Sequence, residues 1–334
     1  MFKKKEYFGI FILTCLLNFT FFSSSASLGL IPPYLSSLGA TKTYIGFFMN
    51  LASLEIVLFV LIFGKYLHYI KRKDAFIFGT IVSIITFLGM YFFYKDLKIL
   101  MLLRIFNAIP FVFCFSMHVS IIFDIVHKEK RLSSLAIFGI SGILSNPVGS
   151  FLSEKFSFHF GPQSLFLLSL FFIAVYAILL IFLKDPGSEF HKKEGKSFFE
   201  IIKRKEIINI ILFAIVFGGA FSVYASFIPN LSKEKLKVAL LSAYFIPFAI
   251  TTLMMRLFLS RFLDRVNQGL LILISYFFIF VSSLLILFLN SITILIIVGI
   301  CYGVGHSILY PTVGTMFVNS GKPEEKEILN NSFV

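Results

Sequence analysis

The sequence predicts an all-α membrane protein with about ten transmembrane helices. Three observations carry this prediction: the composition, a series of long apolar runs, and the basic residues set between those runs. Apolar residues fill 58% of the 334 positions and charged residues only 14%, against roughly 45–50% and about 25% in a soluble domain. Mean hydropathy is +0.92. A bilayer core of ~30 Å takes about 20 helical residues to cross, so the natural unit of this chain is the span.

Ten runs are long enough, at about 7–29, 43–64, 75–94, 99–123, 133–153, 163–183, 207–228, 239–259, 270–289 and 292–318. Inside hydrocarbon every backbone N–H and C=O must be paired within the protein, which leaves helices or a closed barrel. Barrel strands alternate apolar and polar residues. These runs do not alternate, so they are helices. The start of the first run, Lys3, Lys4 and Lys5 ahead of an apolar stretch and Ser23-Ser24-Ser25-Ala26, resembles a secretory signal. Its apolar stretch runs on to about Leu30, longer than a signal core, and an uncleaved first helix is expected.

Lys and Arg set the expected orientation. With the N-terminus in the cytoplasm, the inner segments hold roughly three times as many Lys and Arg as the outer loops. Residues 184–206 form a polar, basic stretch punctuated by Pro186 and Gly187. They read as a cytoplasmic linker between a six-helix bundle (1–183) and a second, incomplete bundle (207–334, helices 7–10 and a polar tail).

Several classes are excluded. The net charge of +13 comes from clusters between spans rather than a basic soluble face, so no nucleic-acid partner is expected. Cys15, Cys114 and Cys301 lie far apart inside apolar runs, with no metal spacing or disulfide framework. No nucleotide loop and no Ser/His/Asp set with supporting context is present. Gly303-Val304-Gly305 lies within a span with no strand before it. Neither an enzyme, a metal nor a cofactor is expected. The lipid bilayer is the evident partner.

Four stretches carry a family resemblance. After the second span, Gly64-Lys65-Tyr66-Leu67-His68-Tyr69-Ile70-Lys71-Arg72-Lys73 half-matches G-x-x-x-D-R-x-G-R-R/K. Gly64, Arg72 and Lys73 agree, and His68 replaces the Asp. After the eighth span, Ser260-Arg261-Phe262-Leu263-Asp264-Arg265 keeps the acidic–basic pair as Asp264-Arg265. In the tenth span, Gly303-Val304-Gly305-His306-Ser307-Ile308-Leu309-Tyr310-Pro311 fits Gly-x-Gly-x-x-x-x-Tyr-Pro. In the fifth, Gly142 and Asn146-Pro147-Val148-Gly149 approach a helix-5 antiporter pattern, with Asn146 departing from it.

Together these stretches resemble the major facilitator superfamily, efflux-type members above all. The resemblance implies a fold of two six-helix repeats whose helices 1, 4, 7 and 10 line a cavity, with the last two helices expected to be missing here. It implies alternating-access transport of a small-molecule substrate, coupled to a proton, with export favoured. The expected location is the plasma membrane, a bacterial inner membrane. The competing expectation is a non-transporting remnant of a split or frameshifted gene, its two-helix complement encoded downstream, or a membrane scaffold or sensor.

Ionisable groups in spans are costly, about 2.5–3.5 kcal/mol each at the membrane centre on insertion scales, so each needs a role. Glu55 either carries the coupling proton or is a paired structural group. Arg104 stands at the family's helix-4 Arg, facing the cavity or else snorkelling to the headgroups. Arg256, one turn from the inner end of its span, is expected to snorkel. Asp124, at the inner end of the fourth span, is expected to pair with Arg72 or Lys73 as a conformational latch. Asp264 is expected within ~8 Å of Ser133 and Ser134, where a helix N-terminus favours an anion. Asn18, Asn107, His118 and His306 are substrate or proton-pathway candidates, or packing groups. Gly142, Pro147, Gly149, Gly303, Gly305 and Pro311 are expected to set close approach and bends between helices.

Overall fold

The structure is a computed structural model of the chain, and it describes residues 2–51, 70–127, 130–186, 204–259 and 266–320. Among these residues the regular elements are helices, with one isolated antiparallel bridge between Phe2 and Val126. The chain divides into two compact units, Met1–Phe190 and His191–Val334.

In the first unit α1 runs over Tyr7–Ser37, α2 over the described residues 42–51, α3 over Arg72–Phe92, α4 over Leu97–Ile125, α5 over Arg131–Phe160 and α6 over Ser164–Ile181. In the second, α7 is Lys205–Leu236, α8 is Ser242–Met254 continued by a wider turn at Met255–Leu259, α9 is Gln268–Leu287 and α10 is Ile292–Asn319. Seven helices among the described residues are long and apolar enough to cross a bilayer: α1, α3, α4, α6, α7, α9 and α10. The protein is therefore a multi-pass membrane protein. The second expected span is described only to Leu51, and the apolar stretch of α8, Ser242–Leu257, is shorter than those seven.

α9 shows the solvent for which these helices are built. Leu273, Phe277, Phe280, Leu284 and Leu287 are exposed, the last by 72%, while Ser275 and Ser282 on the other side are fully buried. A helix at a water surface has the opposite polarity. Here hydrocarbon is the better solvent for the outer face, and the small polar side inside brings neighbouring backbones close. The Ser282 hydroxyl donates to the Val298 carbonyl of α10 at 3.0 Å.

α1 extends past the predicted end near residue 29. Pro32 and Pro33 have no N–H to give to the preceding turn, and the helix passes through a tighter turn at Ser27–Leu30 before resuming at Ile31. Hydroxyls from neighbouring helices reach backbone carbonyls of this region. Ser153 donates to Ser27 at 2.7 Å and Ser169 to Ser24 at 2.8 Å. α1 packs on α5 and α6, and α3 packs on α6 and α4. α5 also runs longer than expected, to Phe160, where Gly161 ends it with a φ of 80°.

α10 is the centre of the second unit, packed on α9, α8 and α7. Its glycines allow this. A Cβ on Gly303 would lie 2.9 Å from the Phe248 carbonyl oxygen of α8, and one on Gly305 would lie 2.7 Å from the Ser275 carbonyl oxygen of α9. The two glycines open two faces of one helix. Pro311 lies inside α10 without ending it.

Candidate functional site

Two polar, aromatic-lined regions lie inside the helices, one in each unit. In the first, Pro110 opens a wider turn at Phe111–Phe115 within α4. Such π-type turns rotate the residues that follow and recur at functional sites. Phe111 and Phe115 stack at 5.0 Å, and Phe22 of α1 meets both edge-on at 5.8 and 5.6 Å. Beside them Asn18 is buried. Its amide donates to Ser141 Oγ of α5 at 2.8 Å, while its Oδ1 has no partner among the described residues. Gly142 makes room for Asn18, since a Cβ there would lie 3.4 Å from Asn18 Nδ2.

Arg104 and Asn107 come together one turn apart on α4. Arg104 Nη1 donates to Asn107 Oδ1 at 3.3 Å, and its Nε donates to the Phe48 carbonyl of α2 at 3.2 Å. The guanidinium also lies 5.5 Å from the Phe48 ring centroid. Arg104 is thus tied to the neighbouring helix rather than extended along lipid.

His118 sits deeper. It is fully buried, its Nε2 is 3.1 Å from the Tyr176 hydroxyl of α6, and Phe76 and Phe138 flank the ring. His118 Nδ1 has no partner among the described residues. This is a packed core position, joined to the Phe22–Phe111–Phe115 cluster through Phe21 and Phe138, each of which touches both.

At one end of the unit, buried Arg72 forms a hub. Its Nη2 bonds to Asp124 and to Ser120 Oγ (2.9 Å), both of α4, and its Nη1 bonds to Asp185 at 3.0 Å. Lys73 is exposed. The amide of Lys3 donates to the Ile125 carbonyl at 2.9 Å beside this hub. Asp185 and Ser120 went unread in the sequence because each lies far along the chain from Arg72.

On the other side of the unit, Gly149 of α5 abuts α1. A Cβ there would lie 2.5 Å from Ala26 Cβ. Pro147 lies within α5 without breaking it.

In the second unit His306 is the hub. Phe217 and Phe221 of α7 lie 5.1 and 5.7 Å from its ring, Phe248 of α8 lies 5.1 Å away, and Tyr302 and Tyr310 of α10 lie at 6.4 and 6.0 Å. The His306 and Tyr310 planes are parallel within 3°. Arg256, expected to snorkel, turns onto this cluster, with its guanidinium 5.8 Å from the Tyr310 centroid. Below His306, Tyr302 packs against Tyr224 at 4.4 Å, and Tyr244 lies 5.7 Å from Tyr224. The spacing Tyr302, His306, Tyr310 puts three rings on one face of α10, a periodicity that the sequence carries.

Glu55, Gly64 and His68, and Asp264 with Arg265, lie outside the described residues, as does the polar tail after Ser320. The expected approach of Asp264 to Ser133 and Ser134 falls there too.

A profile described as "Major Facilitator Superfamily" matches residues 13–330. The chain belongs to this superfamily. Its members are transporters rather than enzymes. Solved structures agree on the fold. A bacterial homolog of the human lysosomal transporter Spinster, inward-facing and unoccupied, aligns with TM-score 0.76 at 14% identity over 99% of this chain and 79% of its own. The nucleoside transporter NupG gives 0.73 at 15% over 97% and 86%. The human organic anion transporter MFSD10 gives 0.69 at 12% over 97% and 88%. At such identities the likeness is one of fold. No curated protein matches the chain.

Proposed function

We propose that this superfamily member is a secondary transporter that moves a small solute by alternating access, with helices 1–6 and 7–10 as two bundles joined by residues 184–206. The match over residues 13–330 is the observation that supports this reading most strongly. It is joined by polar groups held inside membrane helices, where such groups are costly: Asn18, Arg104, Asn107 and His306. The similar structures include proteins named as a nucleoside transporter and an organic anion transporter, which favours a small polar or ionic cargo.

The finer reading has ten spans, the N-terminus in the cytoplasm of a cell whose plasma membrane holds the protein, proton coupling and an export bias. Glu55 is the proton carrier, and Arg104 and Asn107 belong to the substrate or proton pathway. Arg72, bonded to Asp124 and Asp185, is the latch that holds the cytoplasmic ends of helices 3, 4 and 6 together in one state of the cycle. The loop residues Gly64, His68, Lys73, Asp264 and Arg265 serve the same exchange of states.

The test is flux in proteoliposomes under an imposed pH gradient, across a solute panel, for the wild type and for Glu55→Gln and Arg104→Ala. Gradient-driven flux in the wild type, lost in both variants, is expected. Flux indifferent to the gradient would remove the proton from the account. No flux of any solute would remove transport.

A further inference from the structure

We infer that the His306 cluster of the second unit is a binding site for a planar aromatic anion, a ring system bearing a carboxylate or similar acidic group. The inference rests on the transport reading above and gives that transporter a substrate class.

Three kinds of observation converge on this one place. The first is unmet hydrogen-bonding capacity. Tyr244 and Tyr302 are fully buried, and neither hydroxyl has a hydrogen-bond partner among the described residues; the same holds for His306 Nδ1. Orphan polar atoms are rare in native interiors, and a bilayer offers no water to relieve them. Finding three within one cluster of contacting rings marks a place that an arriving polar group completes.

The second is ring geometry. His306 and Tyr310 lie parallel, and Phe217, Phe221 and Phe248 surround the imidazole at 5.1–5.7 Å. At these spacings the rings contact one another, and the exposed Tyr310 ring is the face on which a further planar ring would stack first. Access is graded along α10. Tyr302 is fully buried, His306 is half-buried, and Tyr310 is 41% exposed. A ligand ring entering from the Tyr310 end meets stacking partners first and the tyrosine hydroxyls last.

The third is charge. Among the described residues of α8, α9 and α10, Arg256 carries the one formal charge, and it is turned toward the cluster through Tyr310. No carboxylate among the described residues lies within ion-pair distance of it. Among the described residues a cationic ligand would face Arg256 without a compensating acid. An anion would meet a guanidinium already oriented on the ring beside it. The aromatic walls alone would suit an organic cation, and Arg256 is what reverses the sign.

The chain has no Trp, so a single Trp placed at Phe217 or Phe221 is a clean optical reporter. The experiment uses purified full-length protein in detergent and radiolabelled 2-naphthoate in a scintillation-proximity assay. Unlabelled cyclohexanecarboxylate (same charge, no aromatic ring) and 2-naphthylmethylamine (same ring, opposite charge) serve as competitors. The Phe221→Trp reporter provides an optical cross-check. Saturable naphthoate binding is expected, with both competitors at least tenfold weaker. Arg256→Gln should weaken binding at least tenfold, and Arg256→Lys by less. Tyr244→Phe and Tyr302→Phe should each weaken it several-fold while the thermal unfolding midpoint stays near the wild type. Naphthoate binding unchanged in Arg256→Gln, a preference for the amine, or no binding at all would overturn the inference. Gradient-driven flux of some other solute by the same preparation would then leave the transport reading standing.

Discussion

Arg72, at the first residue of α3, is ion-paired to Asp124, near the last residue of α4, and the two lie fifty-two positions apart in the chain. Arg72 is 8% exposed, and Asp185, just beyond α6, takes a second hydrogen bond at 3.0 Å. One guanidinium therefore ties three helix ends. A planar fork spreads five donors over three nitrogens, whereas an ammonium holds its three on a single atom and reaches separated partners less well.

Removal of that fork leaves Asp124 and Ser120 without their donor. Arg72→Ala should lower stability by roughly 1.5–3 kcal/mol, read as a lower unfolding midpoint in detergent. Arg72→Lys should recover only part of the loss. Asp185→Asn should cost less than Asp124→Asn, because Asp185 is the more exposed carboxylate and solvent screens it more. Equal losses for the two acids would contradict a hub centred on α4.

Gly149 and Gly9 predict opposite outcomes for the same chemical change. A Cβ on Gly149 would meet Ala26 Cβ at 2.5 Å and the Ala26 carbonyl carbon at 2.9 Å, while one on Gly9 would meet nothing within 4 Å. Gly149→Ala should destabilise by about 1–3 kcal/mol through overpacking. Gly9→Ala should be neutral or stabilising by up to about 1 kcal/mol. Unfolding midpoints of the two purified variants decide it.

His118 should prove to be a packing residue. Its ring fills a fully buried position against Tyr176, Phe76 and Phe138. His118→Ala should cost about 2–4 kcal/mol through the cavity it leaves, and it also leaves the Tyr176 hydroxyl with Cys114 as its remaining side-chain partner. Flux per folded molecule should stay within about twofold of the wild type. A pathway role would instead show as lost flux in a variant of normal stability.

Much of this architecture was legible in the sequence, for a physical reason. In lipid each span must satisfy its own backbone, so long apolar runs without alternation read directly as helices, and α3, α6, α9 and α10 lie close to their predicted limits. Glycine-based close approach at Gly149, Gly303 and Gly305 was readable too. What escaped was anything set by three-dimensional neighbours. The second acid on Arg72 comes from beyond α6, the wide turns at Phe111–Phe115 and Met255–Leu259 leave no periodicity mark, and the contact of Arg256 with Tyr310 joins two helices. Helix direction in such cases depends on which ring or carbonyl stands opposite, and local spacing does not encode that.

The basic stretch 184–206 gives a prediction about sidedness. Single Cys residues at Ser188 and Ser197, in a chain with Cys15, Cys114 and Cys301 replaced by Ala, should react with a membrane-impermeant maleimide only when the cytoplasmic face is open. Labelling of intact cells from outside would reverse the assigned orientation.

Counterflow tests the central claim most directly. Proteoliposomes preloaded with unlabelled substrate and diluted into trace labelled substrate, with no ion gradient, should show a transient overshoot of label inside. That overshoot requires one binding site exposed alternately to the two faces. Label that only equilibrates at the rate of protein-free vesicles, for every solute tried, would contradict a carrier.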